Sequence, residues 1–110
     1  MTEKFYNLSM HFHRPHDLPS AWVVHVLDFD VITQGDDLHN ALQMAVEAAA
    51  LVVQWDVGAG KDTADRRAPP KDWDAFFDVV THGMAVAGLD SLVETEVNAL
   101  AVQAYIPLAA

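Results

Sequence analysis

Imidazole is the side chain best suited to metal ligation and proton transfer near neutral pH, and the stretch Asn7 to His16, NLSMHFHRPH, carries it at His11, His13 and His16. His-x-His spacing on an extended strand puts His11 and His13 on one face. With His25 from the next apolar segment, three imidazole nitrogens could share a zinc-like ion that keeps one position open for water. That chemistry would belong to a metal-binding protein or a hydrolase using His11, His13 and His25. The reading preferred is that these residues form the weakly polar outer face of a half-exposed sheet or line a subunit contact. Metal-bound histidines normally need a carboxylate or carbonyl to orient them, and the sequence assigns none here. No metal ligand and no cofactor is therefore assigned; His16 falls in a loop, and His39 and His82 fall on helices.

The acids invite a second test, because a two-magnesium nuclease needs clustered carboxylates. Asp36 and Asp37 are better used as helix-start groups, and Asp28 and Asp30 as turn residues. Ser20 and Ser91 are ordinary loop residues, with no nucleophile-elbow, P-loop or Rossmann glycine pattern near them. The expectation is a protein without catalytic residues, not an enzyme.

The elements that must position these side chains follow from hydrophobic period. Leu8, Met10 and Phe12 alternate with Asn7, Ser9, His11 and His13, the period of a half-buried strand. RPHDLPS, with its two prolines, is a loop. Ala21 to Leu27, AWVVHVL, is a second strand, and DFD leads to VITQ, a third that ends at Gly35. An antiparallel pairing with His13 opposite Ala21 sets His11 against Val23 and Ser9 against His25. Leu8, Met10, Phe12, Trp22, Val24 and Val26 then make a uniformly apolar face; Asn7, Ser9, His11, His13, Ala21, Val23, His25 and Leu27 make a mixed one. A slip of one residue would mix both faces, so burial selects this parity.

Asp37 is a good N-cap, with Asp36 adding charge at the positive end of the helix that follows. Leu38, Ala41, Leu42, Ala45, Ala49 and Val52 recur at helical spacing, while Met44, Ala48, Leu51 and Trp55 form a second apolar row with Val53 near it. A helix apolar on two sides wants two partners: the sheet, and either a second helix or another subunit. Gly58 or Gly60 supplies the stop. GAGKDTADRRAPPK has the composition of a mobile surface connection. Trp73, Phe76, Phe77, Val80 and Met84 predict a second helix over Asp72 to Ala87, ended by Gly88. In the tail, Val93, Thr95 and Val97, then Leu100, Val102, Ala104 and Ile106, read as strands whose parity switches near Asn98, closed by Pro107. Leu92, Val93, Val97, Leu100 and Ala101 also fit a helix.

At 110 residues the chain has the length of one domain, 1–110, burying about two-thirds of its unfolded surface. Its longest uncharged apolar run, Ala48 to Val53, is far short of the about 20 residues that cross a bilayer. No basic segment followed by an apolar one opens the sequence, so a soluble, cytoplasmic protein without membrane association is expected. With no cysteine, disulfides and thiolate chemistry are excluded. The formal net charge of −10 repels a phosphate backbone, and Lys61, Arg66, Arg67 and Lys71 lie among Asp62, Asp65 and Asp72. Direct nucleic-acid binding is not expected; a basic protein partner fits better.

The stretch Ala21 to Val57, AWVVHVLDFDVITQGDDLHNALQMAVEAAALVVQWDV, resembles the N-terminal domain of HicB-type antitoxins, described as a partial RNase H fold. Thr33, Gly35, Asp36, Leu38 and Ala41 match the family's Thr-x-Gly-Asp-Thr-Leu-Glu-Glu-Ala pattern at the start of the helix; Asp37 replaces the hydroxyl cap, and His39 with Asn40 replaces the acidic pair. The family's Asp-Leu-Pro-Gly loop gives way to the shorter DFDV, and its DNA-binding segment has no counterpart after Gly88. The resemblance implies the toxin-neutralising half of an antitoxin, or an orphan homologue: a homo-oligomer whose partner is a small basic RNA-cleaving toxin. Together these readings predict an α+β domain, a small antiparallel sheet of three to four strands with one long helix on one face and a second helix after the proline loop.

Overall fold

The computed structural model describes residues 3–15, 17, 20–81 and 99–109. It is α+β: β1 (Glu3–His13), β2 (Trp22–Val26), β3 (Val31–Gly35), α1 (Leu38–Gly58), a single 3₁₀ turn (Thr63–Arg66), α2 (Pro70–Thr81) and β4 (Ala99–Ala109). The four strands form one antiparallel sheet in the order β3-β2-β1-β4. The expected run of the second helix through Ala87, the strand over Val93 to Val97, the turn at Asn98, and His16, His82 and Ser91 lie outside the described residues.

The alternation of β1 and β2 puts Leu8, Met10, Phe12, Trp22, Val24 and Val26 wholly out of solvent. Leu38, Ala41, Ala45, Ala49 and Val53 of α1 close over them. Small alanines on the facing helix let it lie close to a sheet that supplies the bulk. Val53 completes the buried row, while Val52 is half-buried and packs against it. The predicted parity holds, but the register is displaced by two residues: His13 pairs with Val23, and His11 with His25. A shift of two preserves which face each side chain takes, and it brings His11 and His25 directly opposite one another.

The start of α1 is tied twice. Asp37 accepts the Asn40 backbone N–H at 2.7 Å, and the Asn40 side-chain carbonyl accepts the Asp36 N–H at 2.9 Å. This reciprocal arrangement satisfies donors that a helix N-terminus leaves open. At the other end Ala59 caps the helix and Gly60 takes φ +71, a conformation that costs glycine little.

The connection after α1, expected from its composition to be mobile, is pinned at several points. Arg66 donates to both carboxylate oxygens of the buried Asp56, at 2.6 and 2.8 Å, and the Ala68 N–H donates to Leu27 O at 2.8 Å. The Arg67 guanidinium lies 3.9 Å from the Trp73 ring centre. These ties deliver α2 to the face of the sheet opposite α1, where Leu27, Ala68, Trp73, Phe76 and Ala101 form a second small core. Pro70 suits a first helical position because its missing N–H needs no partner there.

β4 pairs along the whole of β1, from Glu3 opposite Ala109 to His13 opposite Ala99. Its Leu100 and Leu108 are buried beneath α1, with Val102, Ala104 and Ile106 half-buried between them. Pro107 does not close this strand, which continues to Ala109. β4 is an edge, and there a proline can stand with its missing donor turned away from the ladder.

Candidate functional site

The outer face of the sheet is set by the odd residues of β1, β2 and β4 and by Ile32 and Gln34 of β3, which stand opposite His25 and Val23. His11 lies on the central strand with His25 on one side and Ala101 on the other. His11 and His25 are half-buried and His13 is exposed, its ring centre 5.9 Å from that of His11. The sequence thus placed all three histidines on the correct face, and the structure brings them together across β1 and β2.

Two carboxylates join His25. The turn Leu27–Asp30 ends with Asp30 at φ 51, which makes it the one non-glycine residue with positive φ among the described residues. Aspartate tolerates that conformation better than most side chains, and here its carboxylate meets His25 Nε2 at 2.7 Å. Asp72 comes from the first turn of α2. Ligand atoms of His25, Asp30 and Asp72 all lie within 4.8 Å of one another.

The electrostatics of the cluster agree with this geometry. Burial holds His11 below the ordinary imidazole range, positive charge on His13 or His25 would lower it further, and Asp72 pushes the other way. His13 is lowered by burial and then by His25. The imidazoles of β1 are therefore biased toward the neutral form, which is the form that ligates metal. The positive end of α2 disfavours a cation by less than about 1 kcal/mol, and two carboxylates so close outweigh it.

Sequence reading missed both acids as site residues. Asp30 reads as a turn residue, which it is; the signal for a further role is an aspartate ending a four-residue connection beside a histidine near the strand end. Asp72 had no local signal, since its place depends on α2 packing against the outer face.

Beside the cluster lies an open groove of about 400 Å³, whose polar lining includes Ser9, Asp28, Arg67 and Gln103. The Ser9 N–H donates to the Asp28 carboxylate. Burial raises Asp28, while the backbone bonds it accepts and the Arg67 charge oppose that shift. Trp73, which lines the groove, has its Nε1 buried without a hydrogen-bond partner. Ser20 is exposed in the loop before β2 and touches neither site.

A third feature is on the opposite layer. The predicted second row of α1 is exposed: Leu51 at 66% and Trp55 at 72%, with Met44 a turn or more toward the N-terminus and Ala48 half-buried. α2 does not supply its partner through the described residues, because α2 packs on the other face of the sheet. No described helix is long and apolar enough to cross a membrane. Comparison of the chain with protein-family models, with curated proteins and with solved structures returns no match.

Proposed function

We propose that this chain is a non-enzymatic, HicB-like protein that acts in the cytoplasm as a homo-oligomer and neutralises a small basic RNA-cleaving toxin by covering its active surface. The observation that carries the reading is the exposed apolar row of α1, Met44, Leu51 and Trp55, on a protein of net charge −10. An exposed apolar stripe at helical spacing suits a protein interface. The acidic surroundings would steer a basic partner toward it and repel nucleic acid. Further support comes from the segment carrying the HicB likeness, which spans β2, β3 and α1. Gly35 closes β3 and Asp37 caps α1 at the positions that the motif occupies.

The test is co-expression with the adjacent reading frame. A small basic protein encoded there should co-purify with this chain and be toxic alone, and Leu51→Glu with Trp55→Glu should release it. A neighbour that is not small and basic, or one that neither binds nor is neutralised, would remove the antitoxin role.

A further inference from the structure

We propose that His25, Asp30 and Asp72 form a site for one divalent first-row transition ion that fastens α2 to the sheet. This inference does not depend on the partner-binding reading; it rests on separate residues on another face.

Three chain segments converge. His25 comes from β2, Asp30 from the turn after it and Asp72 from the first turn of α2; His11 of β1 pairs with His25 across the sheet. No local rule requires this meeting. Asp72 suits a helix start wherever that helix lies, and Asp30 suits a turn whichever way its carboxylate points. Yet both carboxylates come within 4.8 Å of the His25 ligand nitrogen and of each other.

The dimensions suit an ion. With bonds of about 2.1 Å to nitrogen and oxygen, ligand atoms around a tetrahedral ion stand roughly 3.4 Å apart. The present set falls on both sides of that value: the His25–Asp30 pair is closer, at 2.7 Å, and no separation exceeds 4.8 Å. With Asp30 exposed and Asp72 half-buried, both carboxylates would turn to close the set, and the His25–Asp30 hydrogen bond would open to admit the ion. The donor set is imidazole and carboxylate, and the chain has no thiolate to offer. Such nitrogen and oxygen donors suit Zn²⁺, Ni²⁺, Co²⁺ or Mn²⁺ more than soft ions, and the two carboxylates neutralise the charge of a divalent ion.

The consequence is mechanical. α2 contributes Trp73 and Phe76 as the buried residues of its apolar contact with the outer face. An ion shared between Asp72 and His25 would join the start of that helix to the sheet without enlarging the core.

The experiment uses the full chain, freed of metal by chelator and titrated with Zn²⁺ in a calorimeter, with thermal unfolding measured in parallel. The expected result is one equivalent bound with a dissociation constant of about 10 µM or tighter, and a rise in midpoint on saturation. His25→Ala and Asp72→Asn should each weaken binding by at least about tenfold and remove most of the rise, whereas His39→Ala on α1 should leave both unchanged. Asp30→Asn, on an exposed turn, replaces His25→Ala if the latter fails to fold by circular dichroism. Absence of binding in this range, or binding unaltered by Asp72→Asn in a folded variant, overturns the proposal.

Discussion

Gly35 ends β3 directly beneath the first turn of α1: a Cβ added there would lie 2.8 Å from the carbonyl carbon of Asn40 and nearer still to the backbone of Ala41. The strand and helix can meet this closely only because residue 35 has no side chain. Gly35→Ala should therefore cost about 2–4 kcal/mol, since backbone must move on one side or the other. Gly60→Ala, where a Cβ meets open space but φ is +71, should cost only about 1 kcal/mol. Urea denaturation checks both, and equal losses would show that the close approach is not what Gly35 is needed for.

The double tie at the start of α1 gives a second expectation. Asp37→Ala removes the acceptor for the Asn40 N–H and should cost about 1 kcal/mol. Asn40→Ala removes the return bond to Asp36. The two bonds share one turn, so the double variant should lose less than the sum of the single losses. Strict additivity, measured by the same denaturation series, would count against a cooperative cap.

The Asp56–Arg66 pair makes stability depend on pH at the acid end. The Arg66 hydrogen bond, outweighing burial, holds the folded Asp56 carboxyl below its ordinary range. A depressed carboxylate stabilises the fold above its unfolded pKa, and that contribution disappears as pH falls through the lower, folded value. Arg66→Gln should thus be markedly destabilising at pH 7, with the gap from wild type shrinking on acidification below about pH 4. Asp28 works in the opposite sense, because burial raises it. Asp28→Asn should gain relative to wild type as pH rises through that carboxyl's titration, apart from any constant change in its bond with Ser9. A constant Arg66→Gln gap from pH 7 to pH 3 would contradict the assignment.

Phe76 and Phe77 are neighbours in sequence with opposite surroundings: Phe76 is wholly buried in the second core, and Phe77 is 51% exposed. Phe76→Ala should cost about 3–5 kcal/mol if α2 is an integral layer of the fold. Phe77→Ala should cost well under half of that. Fluorescence-monitored unfolding of the two variants decides it, and comparable losses would mean that α2 lies differently on the sheet.

The exposed row of α1 predicts an association phenotype with little folding cost. Leu51→Glu and Trp55→Glu replace exposed side chains and should change monomer stability by no more than about 0.5 kcal/mol each. Sedimentation should show the wild-type chain as an oligomer, and the double variant should remain one while losing the basic partner. A wild-type chain that sediments as a monomer at every accessible concentration would remove the homo-oligomer from the proposed function.

The sequence by itself determined the local grammar. Alternation in β1 and β2 fixed which side chains face the core, because period two leaves one uniformly apolar face. Asp37 fixed the start of α1, and the Leu38, Ala41, Ala45 and Ala49 spacing fixed most of its buried side. The second row at Met44, Leu51 and Trp55 was legible as unpartnered by the sheet for the same geometric reason.

Tertiary structure decided what local pattern cannot carry. The two-residue displacement between β1 and β2 was invisible because every even shift preserves the faces. The layer occupied by α2, and with it the meeting of Asp72 and Asp30 with His25, depended on ties made by Arg66, Arg67 and Ala68 to residues outside their own turn. Composition assigned those residues to a mobile loop, since hydrogen bonds to Asp56 and Leu27 leave no mark on the spacing of the residues that make them.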